Sequence, residues 1–278
     1  MDIRIVTDST CDLPESLVSQ YDITIIPLHI HQGDNTYLDG VNLTREQFYA
    51  HLPGFNPAPT TATPSPEVFK QAFEKLANAG AKAILSIHIS ESLSATINSA
   101  RIAADQFTRI PVTVLDSSQV SLGMGLLVEK AAQMAKAGKR LEEIVASLGE
   151  VMKRTYVFAS LKTLEYLRRS GRMHFAVARL GELLQVKPLL YMNQGKPVAH
   201  RARTQKRATE RLLEWLREYA PYERLGIVHA GVPEDAKAIL EHIRGFLPND
   251  DIPIIEITPV LGAHLGIGAL GFAVIAKE

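Results

Sequence analysis

The first half of the chain alternates short, β-branched apolar runs with amphipathic segments, and this alternation constrains the fold more than any other feature. Ile3 to Thr7, Ile23 to His29, Lys82 to Ile89 and Val112 to Leu115 read as strands. Thr44 to His51, Pro66 to Asn78, Ser94 to Phe107, Ser121 to Ala137 and Leu141 to Lys153 carry apolar residues at helical spacing, and Asp12, Pro14 and Glu15 open a further helix that ends near Tyr21. Strands alternating with helices predict a mostly parallel sheet with helices on its faces, whose ligands collect beyond the carboxyl ends of the strands.

A second unit is expected from Thr155, which divides the chain into residues 1–154 and 155–278. Tyr156 to Ala159 reads as a strand and Leu161 to Arg169 as a helix stopped by Ser170-Gly171. A helix over Phe175 to Leu184 precedes a hairpin in which Lys187 to Met192 turns at Asn193-Gln194-Gly195 into Pro197 to His200. Helix Gln205 to Tyr219, strand Leu225 to His229, helix Glu234 to Phe246 and strand Ile252 to Ile257 follow. Leu261 to Ala276 reads as a buried terminal strand with the loop before it. The expected fold class is α/β: two packed α/β domains, the first with a mostly parallel sheet and the second with a mixed one. With no linker between them, the pocket belongs at or near their interface.

Hydroxyls crowd two of the expected helix starts. Pro59-Thr60-Thr61-Ala62-Thr63-Pro64-Ser65-Pro66 places four of them before a helix, with Ser65 as its N-cap and Pro66 in the first turn. Ser90-Glu91-Ser92-Leu93-Ser94-Ala95-Thr96 repeats the pattern after the next strand. Hydroxyls and free amides at a helix start suit a small anion, whereas Asp8-Ser9-Thr10 and Asp116-Ser117-Ser118 read as helix-capping turns.

Other chemistry is excluded or weakened. The 278 residues carry 30 Lys plus Arg against 30 Asp plus Glu, so no global field attracts nucleic acid. A single cysteine, Cys11, leaves no internal disulfide, and the histidines lack metal-ligand spacing; no metal and no cofactor is expected. Gly266-Ile267-Gly268-Ala269-Leu270-Gly271 has the dinucleotide spacing, but no βαβ unit follows it. A glycine-lined approach carrying His264 fits it better. No P-loop occurs. No stretch is long and apolar enough to span a bilayer, and Met1 to Thr7 reads as a strand rather than a leader, which makes a cytoplasmic location the expectation. The alternative function is a serine hydrolase or acyltransferase using Ser94 and His264 with an aspartate such as Asp116, though no Gly-x-Ser-x-Gly elbow is present.

Two arginine clusters differ. Arg168-Arg169-Ser170-Gly171-Arg172 sits at a helix end, where positive charge complements the dipole. Arg201-Ala202-Arg203-Thr204-Gln205-Lys206-Arg207 crowds positive charge at a helix start, against the dipole, which an acidic partner surface would explain.

Taken in order, Thr7-Asp8-Ser9-Thr10, Thr60 to Pro66, Leu93-Ser94-Ala95-Thr96, Asp116-Ser117, Gly171-Arg172, Arg203-Thr204, His229-Ala230-Gly231 and the His264 segment resemble the DegV family. That family includes the FakB fatty-acid-binding subunits of bacterial fatty acid kinase, and the resemblance covers essentially the whole chain. It implies a non-enzymatic carrier: a long-chain fatty acid lies inside, its carboxylate meets Thr61 and Ser94 near His264, and Thr63 and Ala95 bind the carboxylate with them. A separate kinase subunit then phosphorylates the carboxylate, docking at Arg203 with Arg201 beside it. Departures are Ala62 and Thr63 in place of Ser-Gln, Ala95 in place of glycine, and Leu265 and Ile267 in place of Thr and Pro. Leu122 to Val128, Leu161 to Leu167 and Leu180 to Leu184 are the apolar segments available to line an acyl tunnel.

Overall fold

The computed structural model describes residues 2–173, 186–193, 195–246 and 252–278. The helix expected over Phe175 to Leu184 and the turn residue Gln194 lie outside the described residues. From the N-terminus the strands are β1 (Ile3–Asp8), β2 (Thr24–Ile26), β3 (His29–Gln32), β4 (Asn35–Leu38), β5 (Thr60–Ala62), β6 (Ala83–His88) and β7 (Val112–Asp116). The second half adds β8 (Thr155–Ser160), β9 (Lys187–Asn193), β10 (Lys196–Ala202), β11 (Tyr222–His229), β12 (Ile254–Glu256) and β13 (Leu270–Ala276).

The first sheet has the order β2-β1-β6-β7 and is parallel throughout. The larger sheet, β10-β9-β8-β13-β11-β12, is antiparallel except for the β11–β12 pair, so it is mixed as expected. A third, three-stranded antiparallel sheet, β4-β3-β5, was not foreseen. Its origin is Pro27. The run Ile23 to His29, read as one strand, breaks there because proline donates no ladder hydrogen bond. The chain leaves the parallel sheet after Ile26, and His29 begins the small one.

Helices complete the layers. Pro66–Asn78 and Thr96–Asp105 bury Phe69, Phe73, Ala100 and Ala103 against Val6 and Ile84 on the outer face of the parallel sheet. Gln205–Glu218 and Pro233–Ile243 cover the outer face of the mixed sheet, where Phe158, Trp215, Ile239 and Phe272 share a core. Helix Ser121–Lys136 lies between the two sheets, against β1 and β6 on one side and β8, β11 and β13 on the other. It is buried along most of its length, continuously from Ser121 to Glu129.

Two expectations in the second half are corrected. The helix over Leu161 to Arg169 is confined to Glu165–Arg169. The approach to the last strand is itself a helix, Pro259–Leu265, and carries His264 in its last turn. Pro259 in the first turn and Gly266 just past the end (φ 74°) are ordinary helix punctuation. Gly266 is required twice over, because a side chain there would also meet the ring of Tyr166. The dinucleotide-like glycines thus end one helix and enter β13.

Candidate functional site

A cavity of about 1090 Å³, its open mouth included, lies between the two sheets at the carboxyl ends of the parallel strands. Each of those strands is followed by a wall residue: Thr10 after β1, Leu28 after β2, Ile89 and Ser94 after β6, Val120 and Ser121 after β7. The mixed sheet and helix Pro259–Leu265 supply most of the rest, including Val157, Leu190, Met192, Val228 and Leu261. The described lining is mainly apolar, with a small set of polar side chains of which Thr61, Ser94, Arg172 and His264 concern the chemistry.

Thr61 is the one hydroxyl of its cluster to reach the cavity. Strand geometry explains the selection, since β5 pairs Thr61 with Ile30 and turns the neighbouring Thr60 and Ala62 to the other face. Ser65 occupies the N-cap as expected, but its side chain makes no cap hydrogen bond. Thr61 Oγ1 lies 2.9 Å from His264 Nε2. Burial, with the guanidinium of Arg172 adding to it, pushes the His264 pKa down to about 4, so the ring is neutral at physiological pH. A neutral imidazole and a hydroxyl carry two polar hydrogens between them, and their mutual bond consumes one. Whichever group donates, one donor is left over: the Thr61 O–H, or the N–H on His264 Nδ1, which is buried and has no partner among the described residues.

Ser94 Oγ accepts the Thr96 N–H at 3.3 Å and lies 2.8 Å from Thr96 Oγ1. Helix Thr96–Asp105 has Ala95 at its N-cap, without a side chain able to bond there, so Ser94 takes part of that role. Ala95 itself is exposed, and Thr63 is half-buried beyond β5; neither is part of the cavity wall. Arg172 is the residue that sequence reasoning passed over, because a cation at a helix end had a sufficient local explanation. Its Nη1 donates to Ser170 O at 2.9 Å, and the side chain reaches the wall beside His264.

Asp8 organises the loops behind these groups. Its Oδ1 accepts the Thr10 N–H at 3.1 Å and the Thr10 hydroxyl at 2.5 Å, and its Oδ2 accepts the Ile89 N–H at 3.1 Å. His88 Nδ1 lies 3.0 Å from the same Oδ2, and His88 Nε2 lies 2.7 Å from Ser86 Oγ. That Ser-His-Asp chain has the connectivity of a catalytic triad, but all three residues are fully buried and none lines the cavity. Asp116 is engaged in a turn, accepting the Ser118 N–H at 2.7 Å. Behind His264 Nδ1, where a triad needs its acid, there is no partner among the described residues.

Among the described residues no three His, Cys, Asp or Glu side chains converge as a metal site would need, and no helix is long and apolar enough to cross a membrane. Arg201 lies near the end of β10, Arg203 is exposed just after it, and Thr204 caps helix Gln205–Glu218 by accepting the Arg207 N–H at 3.2 Å. Arg201, Arg203, Arg207 and Arg211 line a shallow groove apart from the cavity, with Glu210 and Glu214.

A parallel sheet and a mixed sheet with a mainly apolar cavity between them, polar where the loops of the first sheet meet the His264 helix, define a class of α/β protein with a candidate ligand site. The family model for DegV, described as an uncharacterised protein of the DegV family, matches residues 2–277, and the chain belongs to that family. It is 33% identical over 273 residues to the DegV domain-containing protein lin2658 of Listeria innocua, covering 97% of this chain and 96% of that one. Among solved structures it is similar to a DegV family protein from Thermus thermophilus described for its fatty acid binding, with a TM-score of 0.89, 35% identity and full coverage of both chains. It is likewise similar to DegV of Bacillus subtilis, described as a fatty acid binding protein, with a TM-score of 0.91, 32% identity and full coverage of both.

Proposed function

We propose that this chain binds a long-chain fatty acid in the cavity and presents its carboxylate to a separate kinase that forms the acyl phosphate. The observation that carries the reading is the pairing of a mainly apolar cavity with the Thr61–His264 donor, the Ser94 hydroxyl and the Arg172 guanidinium in one wall. Each buried methylene contributes roughly 0.8 kcal/mol, so the acyl chain supplies most of the affinity. The polar groups fix which end faces outward. Thr61 and Ser94 donate to the carboxylate, His264 orients Thr61 or donates through Nδ1, and Arg172 offsets the charge. The fatty acids bound by the similar Thermus and Bacillus proteins support the same ligand class here.

In this reading the phosphoryl step belongs to a separate kinase, and the exposed Arg203 with Arg201 beside it is the docking element. A hydrolase using Ser94 needs His264 backed by an acid, and the unpartnered Nδ1 argues against it. Extraction of the purified protein into organic solvent, followed by mass spectrometry, is the deciding experiment. Stoichiometric fatty acid is expected. Covalent capture of Ser94 by a fluorophosphonate, with no extractable lipid, would overturn the proposal.

A further inference from the structure

Two buried carboxylates outside the cavity have no place in the reading above. Asp12 and Asp39 are 1% and 2% exposed, and burial pushes both pKa values up to about 6. Burying acids is costly, and such groups persist where they hold something in place.

What they hold is the start of the helix that carries His264. Thr258 is the N-cap of helix Pro259–Leu265, yet its side chain bonds nothing in its own helix. Its hydroxyl donates to Asp39 Oδ2, and its N–H donates to Asp12 Oδ1 at 2.7 Å. The Val260 N–H, two residues further on, and the Ser9 hydroxyl also favour the charged form of the Asp39 carboxylate. A capping role normally filled by the N-cap side chain is thus filled from another element. Arg45 Nη2 lies 3.5 Å from Asp12 Oδ1 and lowers both carboxylates. The helix bearing Arg45 presses on the same target: Tyr49 Oη donates to Ile257 O at 3.1 Å. A Cβ on Gly262 would lie 2.6 Å from Tyr49 Oη and 2.8 Å from Phe48 Cε1. The other oxygen of Asp12 accepts the hydroxyl of Ser121 at 2.6 Å, and Ser121 is a wall residue.

We propose that Asp39 and Asp12 are positioning residues for head-group recognition: they fix the helix that aims His264 at the cavity, and the Ser121 wall with it, without reaching the ligand themselves. The proposal rests on the fatty-acid reading, and its test separates the two. Palmitic acid and 1-hexadecanol share a chain and differ at the head group, so their affinity ratio reports how well the polar wall is set. The parent should prefer the acid by about tenfold or more, the worth of one charge-assisted hydrogen bond. Asp39→Ala should abolish that preference by weakening palmitate alone, with hexadecanol within about twofold of the parent, since the tail contacts are untouched. Asp39→Asn, which keeps an acceptor for Thr258, should restore most of it, and the His264 ring signals in NMR should shift in Asp39→Ala but return in Asp39→Asn. Where Asp39→Ala does not fold, Thr258→Val removes the same bond from the helix side and carries identical expectations. A parental acid preference retained in these variants, or an equal loss for both lipids, overturns the positioning role. A parent that binds neither lipid, or shows no preference, overturns the fatty-acid reading instead.

Discussion

The hydroxyl of Thr61 meets Nε2 of His264 at 2.9 Å across 203 residues of sequence, joining the small antiparallel sheet of the first half to a helix of the second. Thr61→Val combined with Ser94→Ala removes both hydroxyls and keeps the volume. Hydrogen bonds to a charged group are worth about 1.5–3 kcal/mol each, so affinity for a titrated fatty acid should fall at least tenfold while some lipid is retained. Calorimetry on the delipidated variant checks this. Parental affinity would mean that the carboxylate lies elsewhere.

His264 makes the fold sensitive to acid in a definite direction. Its folded pKa, about 4, lies below the unfolded value near 6.5, so the unfolded chain takes up the proton first. No penalty exists above pH 6.5; it grows as the pH falls towards 4 and is complete below. About two and a half units correspond to roughly 3 kcal/mol. Asp12 and Asp39 act oppositely, because their folded pKa values are raised: their penalty is present above about pH 6 and is relieved as the pH falls towards 4. Urea unfolding of the parent minus His264→Gln, measured between pH 7 and pH 4, isolates the histidine. The difference should turn against the parent by a few kcal/mol on acidification, and a flat difference would place His264 in water.

Much of this arrangement is legible in the chain. The parallel sheet follows from apolar runs alternating with amphipathic helices, and Thr61, Ser94 and His264 follow from hydroxyls at helix starts together with the family resemblance. What is not legible depends on which face or partner a residue finds. Pro27 splits one apparent strand between two sheets, a break the apolar run around it conceals. Strand alternation selects Thr61 from four hydroxyls only once β5 is known to be a strand. Arg172 looks like an ordinary helix-end cation until the fold brings it beside His264. The carboxylate of Asp39 caps a helix 220 residues downstream, a relationship local sequence rules have no means of expressing.

The two serines before Ser94 serve the other side of the cavity. Ser90 and Ser92 Oγ donate to the Gly195 carbonyl at 2.9 and 2.5 Å, clasping the β9–β10 hairpin whose Leu190, Met192 and Pro197 are wall residues. Ser90→Ala with Ser92→Ala leaves that carbonyl without these two donors at a cost of about 1 kcal/mol for each bond. The hairpin should then open more often, and release of a fluorescent fatty acid in stopped flow should quicken roughly tenfold, the rate equivalent of about 1.4 kcal/mol. Unchanged release would mean that the ligand leaves by a route that does not involve the hairpin.

Substitution of Arg203 tests whether binding can be separated from the proposed handover to a kinase. The neighbouring cations are partly accounted for within the chain: Arg207 Nη1 donates to Glu210 at 2.8 Å, and Arg211 pairs with Glu214 at the same distance while its guanidinium lies 5.0 Å from the centre of a Trp215 ring. Arg203 differs, since it stands just before the N-cap, exposed, ahead of a helix with no acidic residue in its first turn. Positive charge there opposes the dipole and adds nothing to the helix. Arg203→Ala should therefore leave the melting temperature and the bound lipid nearly unchanged. If the groove it shares with Arg201 receives an acidic face of the kinase, a central arginine is worth about 2 kcal/mol or more, close to a thirtyfold loss of partner affinity. Acyl-phosphate formation with the cognate kinase, measured over a range of carrier concentrations, should show a concentration requirement raised by that factor at unchanged lipid occupancy. An unaltered concentration dependence removes Arg203 from the docking surface, and a loss of bound lipid would assign it to the cavity instead.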